Sequence, residues 1–131
     1  EIVQKWVDVL VPMGIRIFSL SDTIGCSNPQ NIAYLFGNLI PAYPKVAFGA
    51  HLHTQPHNWR EKIEAAWQNG CRSFDGALRG FGGCPMAKDE LTGNMAMENL
   101  VTFFDDEGVE LGIERPALLQ SLMMADEIFP R

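Results

Sequence analysis

Val46-Ala47-Phe48-Gly49-Ala50-His51-Leu52-His53 is an apolar run closed by two histidines, and how it is read decides the architecture. Side chains alternate faces along a strand, so histidines at i and i+2 of an extended segment present their imidazoles to the same side. Two imidazoles so placed can serve one ion. A lone pair of this kind serves equally well as a structural hydrogen-bonding feature, so the surroundings must decide.

Upstream, Val3, Trp6, Val7, Leu10 and Val11 recur at the spacing of an amphipathic helix, with Gly14 as its stop. Residues 15–22 are β-branched and aromatic and run into Thr23-Ile24-Gly25, which predicts a strand and a turn. Asn28 caps a helix with Pro29 at its first position and Ile32, Leu35, Phe36, Leu39 and Ile40 as the buried stripe; Pro41 and Pro44 end it. The histidine strand spans about 46–53. A helix carrying Trp59, Ile63, Ala66 and Trp67 follows and stops at Asn69-Gly70, and a third strand covers about 71–78.

Next comes a loop, Arg79-Gly80-Phe81-Gly82-Gly83-Cys84-Pro85-Met86, continuing to Leu91-Thr92-Gly93-Asn94. Its glycines make no phosphate loop, because no Gly-Lys-Ser/Thr follows them. Asn94 reads as the cap of a fourth helix with Met97, Leu100, Val101 and Phe104 inward and Gly108 at its end. Pro116 opens a fifth with Leu118, Leu119, Leu122 and Met123 inward. Asp105-Asp106-Glu107 reads as a solvated helix end, and His57 as exposed.

Strand and helix alternate and the strands are largely apolar, which is the pattern of a parallel sheet covered by helices: the class is α/β. Strand ends near Asp22, His53 and Leu78 lie about 31 and 25 positions apart, the length of one strand-plus-helix unit in a barrel or a doubly wound sheet. Ligands bind at carboxyl ends of strands in both. Asp22, both histidines and the glycine-rich loop with Cys84 fall at such ends.

Composition bounds the rest. At 131 residues and 47% hydrophobic, the chain is one domain in size with enough apolar content for a core. A net charge of -6 disfavours nucleic acid and anionic membrane surfaces as partners. Cys26, Cys71 and Cys84 are odd in number and widely spaced, which fits free thiols in a reducing compartment, the cytoplasm or a mitochondrial matrix. No run approaches the length of a spanning helix. Glu1 in place of an initiator methionine predicts a piece of a longer chain, or a processed one.

Ser21-Asp22-Thr23-Ile24-Gly25, His51-Leu52-His53, Gly82-Gly83-Cys84-Pro85 and Gly93-Asn94 together resemble the second half of the 3-hydroxy-3-methylglutaryl-CoA (HMG-CoA) lyases, metal-dependent TIM-barrel enzymes. The cysteine loop is the most discriminating motif, since related Claisen-type synthases share the histidine strand without it. The resemblance implies a C-terminal partial (β/α)8 barrel over residues 1–131, about three parallel strands with covering helices. It implies His51, His53 and Asn94 as ligands of Mg²⁺ or Mn²⁺, with a further Asp on the barrel's first strand. Asp22, His51 and Cys84 form the implied catalytic set. In it Asp22 accepts or relays the substrate's hydroxyl proton. Cys84, a thiol of a type that ordinarily titrates at about pH 8.5, protonates the acetyl-CoA enolate left when acetoacetate departs. The implied partners are an acyl-CoA substrate, the missing barrel half or another chain, and further copies of the chain itself.

Two departures from the family pattern stand out. Thr54-Gln55-Pro56-His57 replaces the usual Asp-Thr and glycine turn after the second histidine. The first-strand Arg-Asp pair has no counterpart. The chain alone is therefore expected to lack turnover and to self-associate through open sheet edges. A related synthase or aldolase is the alternative enzyme reading, and a diverged, non-catalytic barrel module serving binding or assembly is the alternative outside catalysis. A zinc site joining Cys84 to the two histidines is a weaker possibility, because thiolate zinc ligands usually cluster more tightly.

Overall fold

The computed structural model describes residues 1–83 and 92–129, and Cys84 lies outside them. Helix α1 (Ile2–Leu10) leads to strand β1 (Ile17–Ser21), helix α2 (Pro29–Ala42) and strand β2 (Ala47–His51). The short strand β3 (His53–Thr54), helix α3 (Trp59–Gln68), strand β4 (Ser73–Phe74), strand β5 (Gly93–Asn94), helix α4 (Met97–Asp106) and helix α5 (Arg115–Ile128) follow. β1, β2 and β4 form a parallel sheet in the order β1-β2-β4, with Ser21 opposite His51 and Ala50 opposite Phe74. β3 and β5 pair antiparallel beside it.

The capping of α2 follows the local chemistry. Asn31 N–H donates to Asn28 Oδ1 at 2.9 Å and Asn28 N–H to Asn31 Oδ1 at 3.0 Å, a reciprocal box that satisfies two otherwise unpaired donors. Pro29 presets the first turn. Ile32, Phe36 and Leu39 are buried, and Pro41 sits inside the last turn, so the helix runs to Ala42 instead of stopping at the proline.

In-register neighbours point to the same side of a parallel sheet, which gives this sheet two unlike faces. Phe18 stacks on Phe48 at 5.6 Å on the helix-covered face, where Phe48 and Ala50 are buried. Ser19, Ser21, Gly49 and His51 share the other face. The core continues through Ile63, Ala66, Cys71, Leu100 and Phe103. Phe104 meets Trp67, Phe74 and Phe103 edge-on, at 5.2, 5.4 and 5.3 Å.

The structure corrects several expectations. The third strand is far shorter than 71–78, because only the Asp75 N–H to Ala50 O bond continues the pairing with β2 past Phe74, and beyond it the chain takes new partners: Ala77 N–H bonds Met95 O, and Ala77 bridges Ala96 in parallel. Asn94 does not cap α4. Extended pairing with His53 occupies it, α4 starts at Met97 after Ala96, and Glu98 in the first turn sits where the helix dipole favours an acid. Trp6 is 58% exposed and Leu119 60%, so only part of each expected stripe turns inward. The acidic run is the solvated end of α4 as expected, its exposed Asp105 and Asp106 also pairing with Arg115 and Arg60.

Candidate active site

The loop after β1 and the histidine strand hold each other. Asp22 N–H donates to His51 O at 2.9 Å, which extends the ladder one residue past β1. Asp22 O then accepts from the His53 ring nitrogen Nδ1 at 2.9 Å. A carbonyl oxygen only accepts, so this bond places the proton on Nδ1 and leaves the lone pair on Nε2. Gly25 closes the turn at φ +71°, where a Cβ would come within 2.5 Å of Thr92 and 3.6 Å of the His53 Cβ; glycine is what permits this approach.

His51 is fixed in the same sense by a different partner. Its Nδ1 lies 3.1 Å from Asp75 Oδ2, which also accepts from Ser19 Oγ at 3.1 Å. A carboxylate acceptor again assigns the proton to Nδ1 and frees Nε2. The two rings are 5.5 Å apart, as the i, i+2 reading requires. His53 is buried, whereas the His51 side chain is 38% exposed and so is the more accessible of the two.

Asn94 stands directly opposite His53 in the β3-β5 pair. Its Nδ2 donates to Phe81 O at 2.8 Å, leaving Oδ1 as the unassigned acceptor. A Cβ on Gly82 would fall 2.9 Å from that Nδ2, so glycine lets the cysteine loop's root approach the amide. Two imidazole nitrogens and one amide oxygen thus keep a donor lone pair while their other polar atoms are engaged. That set fits a divalent ion of N/O preference. Among the described residues no group of three or more His, Cys, Asp or Glu gathers into a metal-binding cluster. Cys84 and the zinc reading built on it lie outside the described residues.

Asp22 is engaged on both oxygens. Ser27 N–H donates to Oδ1 at 3.1 Å, while the Ser27 hydroxyl and Lys62 Nζ, at 3.0 Å, share Oδ2. Burial pushes this carboxyl up, but the Ser27 hydroxyl, the Lys62 ammonium and the Ser27 N–H outweigh it and hold the pKa below its ordinary 3.8. A carboxylate depressed on folding stabilises the native state above its unfolded pKa and ceases to do so as pH falls through the folded value. Thermal melts should accordingly be flat near neutrality and fall below about pH 4, and Asp22→Asn should flatten that acid limb. An unchanged limb in the variant would show that other carboxylates govern it.

Sequence reasoning missed Lys62, Asp75, Ser19 and Ser27. Lys62 had a readable signal, since it falls three residues after Trp59 and four before Ala66, inside an apolar stripe. Asp75 and Ser19 had none, because only strand register joins them to His51. The departure after His53 forms a compact start to α3: Gln55 N–H donates to Asn58 Oδ1 at 2.8 Å, with Thr54 buried and His57 exposed. Of the remaining thiols, Cys26 is exposed, and Cys71 is buried, with burial pushing its pKa up.

Parallel strands with covering helices, and donor groups at the strands' carboxyl ends, fit a segment of a (β/α)8 barrel. The chain belongs to the HMGL-like family, whose model matches residues 1–126. It is 39% identical over 119 residues to the (R)-citramalyl-CoA lyase of Chloroflexus aurantiacus, covering 91% of this chain and 37% of that protein. To the hydroxymethylglutaryl-CoA lyase of Pseudomonas mevalonii it is 32% identical over 120 residues, covering 92% and 40%. The crystal structure of the Bacillus subtilis HMG-CoA lyase superposes with a TM-score of 0.85 at 29% identity, over 95% of this chain and 42% of that one. An Acinetobacter baumannii HMG-CoA lyase, solved with coenzyme A and 3-methylmalate, gives 0.82 at 28% identity, over 95% and 41%. The chain thus spans about two-fifths of the length of these relatives. Among the described residues no helix is long and apolar enough to cross a membrane.

Proposed function

We propose that the chain is the C-terminal portion of a divalent-metal-dependent carbon-carbon lyase that cleaves HMG-CoA to acetyl-CoA and acetoacetate. The observation that carries this reading is the anchoring of both imidazoles through Nδ1, which leaves both Nε2 atoms as acceptors on a segment whose His53 stands opposite Asn94 in the β3-β5 pair. In the proposal His51, His53 and Asn94 hold Mg²⁺ or Mn²⁺. Such an ion would supply Lewis-acid stabilisation of negative charge on the substrate's oxygen atoms.

The chain's residues then have separate tasks. Asp75 keeps the exposed His51 in its donor tautomer and strengthens it as a ligand. As Asp22 accepts or relays the substrate's hydroxyl proton, a ketone forms and the adjacent carbon-carbon bond breaks, its electron pair passing to the thioester as an enolate. Cys84 protonates that enolate carbon, so acetyl-CoA and acetoacetate leave. Asp22, which also anchors the site through its bonds to Ser27 and Lys62, is the proposed acceptor or relay of that hydroxyl proton. The barrel's remaining strands join along β1, which among the described residues pairs only with β2 and leaves Ile17 79% exposed.

A second reading exchanges the substrate for a citramalyl-CoA-type thioester, and the 39% identity to the Chloroflexus enzyme favours it. One experiment separates them. The 131-residue chain is combined in trans with the complementary N-terminal segment of the Bacillus subtilis enzyme, and HMG-CoA and citramalyl-CoA are offered with Mn²⁺. Acetoacetate from HMG-CoA, lost on Cys84→Ala while Mn²⁺ binding persists, is the expected result; pyruvate from citramalyl-CoA selects the second reading. If neither thioester is cleaved and Mn²⁺ does not bind, the chain is a non-catalytic module.

A further inference from the structure

Among the described residues Lys62 is the one lysine or arginine in the buried set, at 1% exposure, and it stands on the helix that follows the histidine strand. Burying an ammonium is costly unless every N–H finds an acceptor. All three do: Nζ lies 3.0 Å from Asp22 Oδ2, 3.2 Å from Gly25 O and 2.9 Å from His53 O. Two of these acceptors belong to the loop after β1 and the third to the histidine itself. The same loop supplies the Asp22 carbonyl that receives His53 Nδ1. A closed circuit results, from Lys62 to Asp22 to the His53 ring and back through the His53 carbonyl.

We propose that Lys62 is a positioning residue for His53: by clasping the Asp22–Gly25 turn to the His53 backbone it holds the Asp22 carbonyl against Nδ1 and locks the ring with Nε2 unprotonated. Without the ammonium, the turn keeps the Ser27 bonds to Asp22 but loses its attachment to α3 and to the His53 carbonyl. The ring can then exchange tautomers, and the Nε2 lone pair is present only part of the time. Asp22 follows from the same circuit, its carboxylate anchoring Lys62 and its carbonyl orienting the ring. The consequence for metal affinity rests on the metal-site reading above, whereas the tautomer is a property of the metal-free chain.

The test compares the wild-type chain with Lys62→Met and with the double variant Asp22→Asn/Lys62→Met, which removes both buried charges together and so remains foldable where the single change leaves a bare carboxylate. Long-range ¹H–¹⁵N spectra read the His53 ring without metal. A single Nδ1-protonated tautomer is expected in the wild type, and a tautomer mixture in either folded variant, with Mn²⁺ binding weakened about tenfold or more. A His53 spectrum unchanged from wild type in a folded variant overturns the proposal, and so does loss of folding in both, which would make Lys62 a structural clamp alone. If the wild-type chain shows the expected tautomer yet binds no Mn²⁺, the metal-site reading fails while the positioning role stands.

Discussion

His53→Ala should lower the affinity of the chain for Mn²⁺ by more than about a hundredfold, beyond the 10–100-fold that loss of a supporting partner typically costs. The proposed site offers two imidazoles and one amide, so this change removes one of its two nitrogen ligands outright. The ring also satisfies the Asp22 carbonyl, and its removal loosens the turn that carries Asp22. His51→Ala should act in the same direction with less disturbance of the fold, because that ring is more exposed and its partner Asp75 faces solvent. His57→Ala, at an exposed position in the turn before α3, should change nothing and serves as the control. Electron paramagnetic resonance titration of free Mn²⁺ measures all three. An affinity for the His53 variant within twofold of wild type would remove His53 from the ligand set.

Phe103→Ala should cost about 3–5 kcal/mol, a large share of the roughly 5–15 kcal/mol typical of a domain. Phe103 is 1% exposed, and its ring meets Phe104 edge-on and lies under the Arg60 guanidinium at 5.5 Å. Truncation loses apolar burial and leaves a cavity between α3 and α4 that the surrounding aromatic groups cannot fill by collapse. Urea denaturation followed by circular dichroism would show it as a lower midpoint with little change in slope. A loss below about 1 kcal/mol would mean that the α4 packing is loose.

Where local chemistry was sufficient, the elements were legible in residue order. Asn28-Pro29 marked the start of α2, Gly70 and Gly108 lie at the ends of α3 and α4 with positive φ, and the β-branched run before Asp22 marked β1. The histidine pair was legible too, because a period of two needs only an extended backbone to bring two rings to one side. Reading failed where a local signal competed with a distant partner. Asn94 is a good cap by type, yet pairing with His53 drew it into β5. Cys71 through Leu78 has strand composition, yet its neighbours change after Phe74 and the regular pairing ends there. Trp6, Leu119 and Met123 have the right spacing but turn outward, since periodicity shows that a face exists without showing what covers it.

The amino-acid order by itself determined the α/β class, the order of the five α-helices, and the placing of Asp22, His51 and His53 each at a strand end, because each follows from contacts within a few residues. Only the tertiary structure decided which nitrogen of each imidazole keeps its lone pair. That assignment depends on Asp75, on the Asp22 carbonyl and on the Lys62 clasp, which lie 24, 31 and 9 positions from the groups they hold, and such distances are closed by strand register and helix packing.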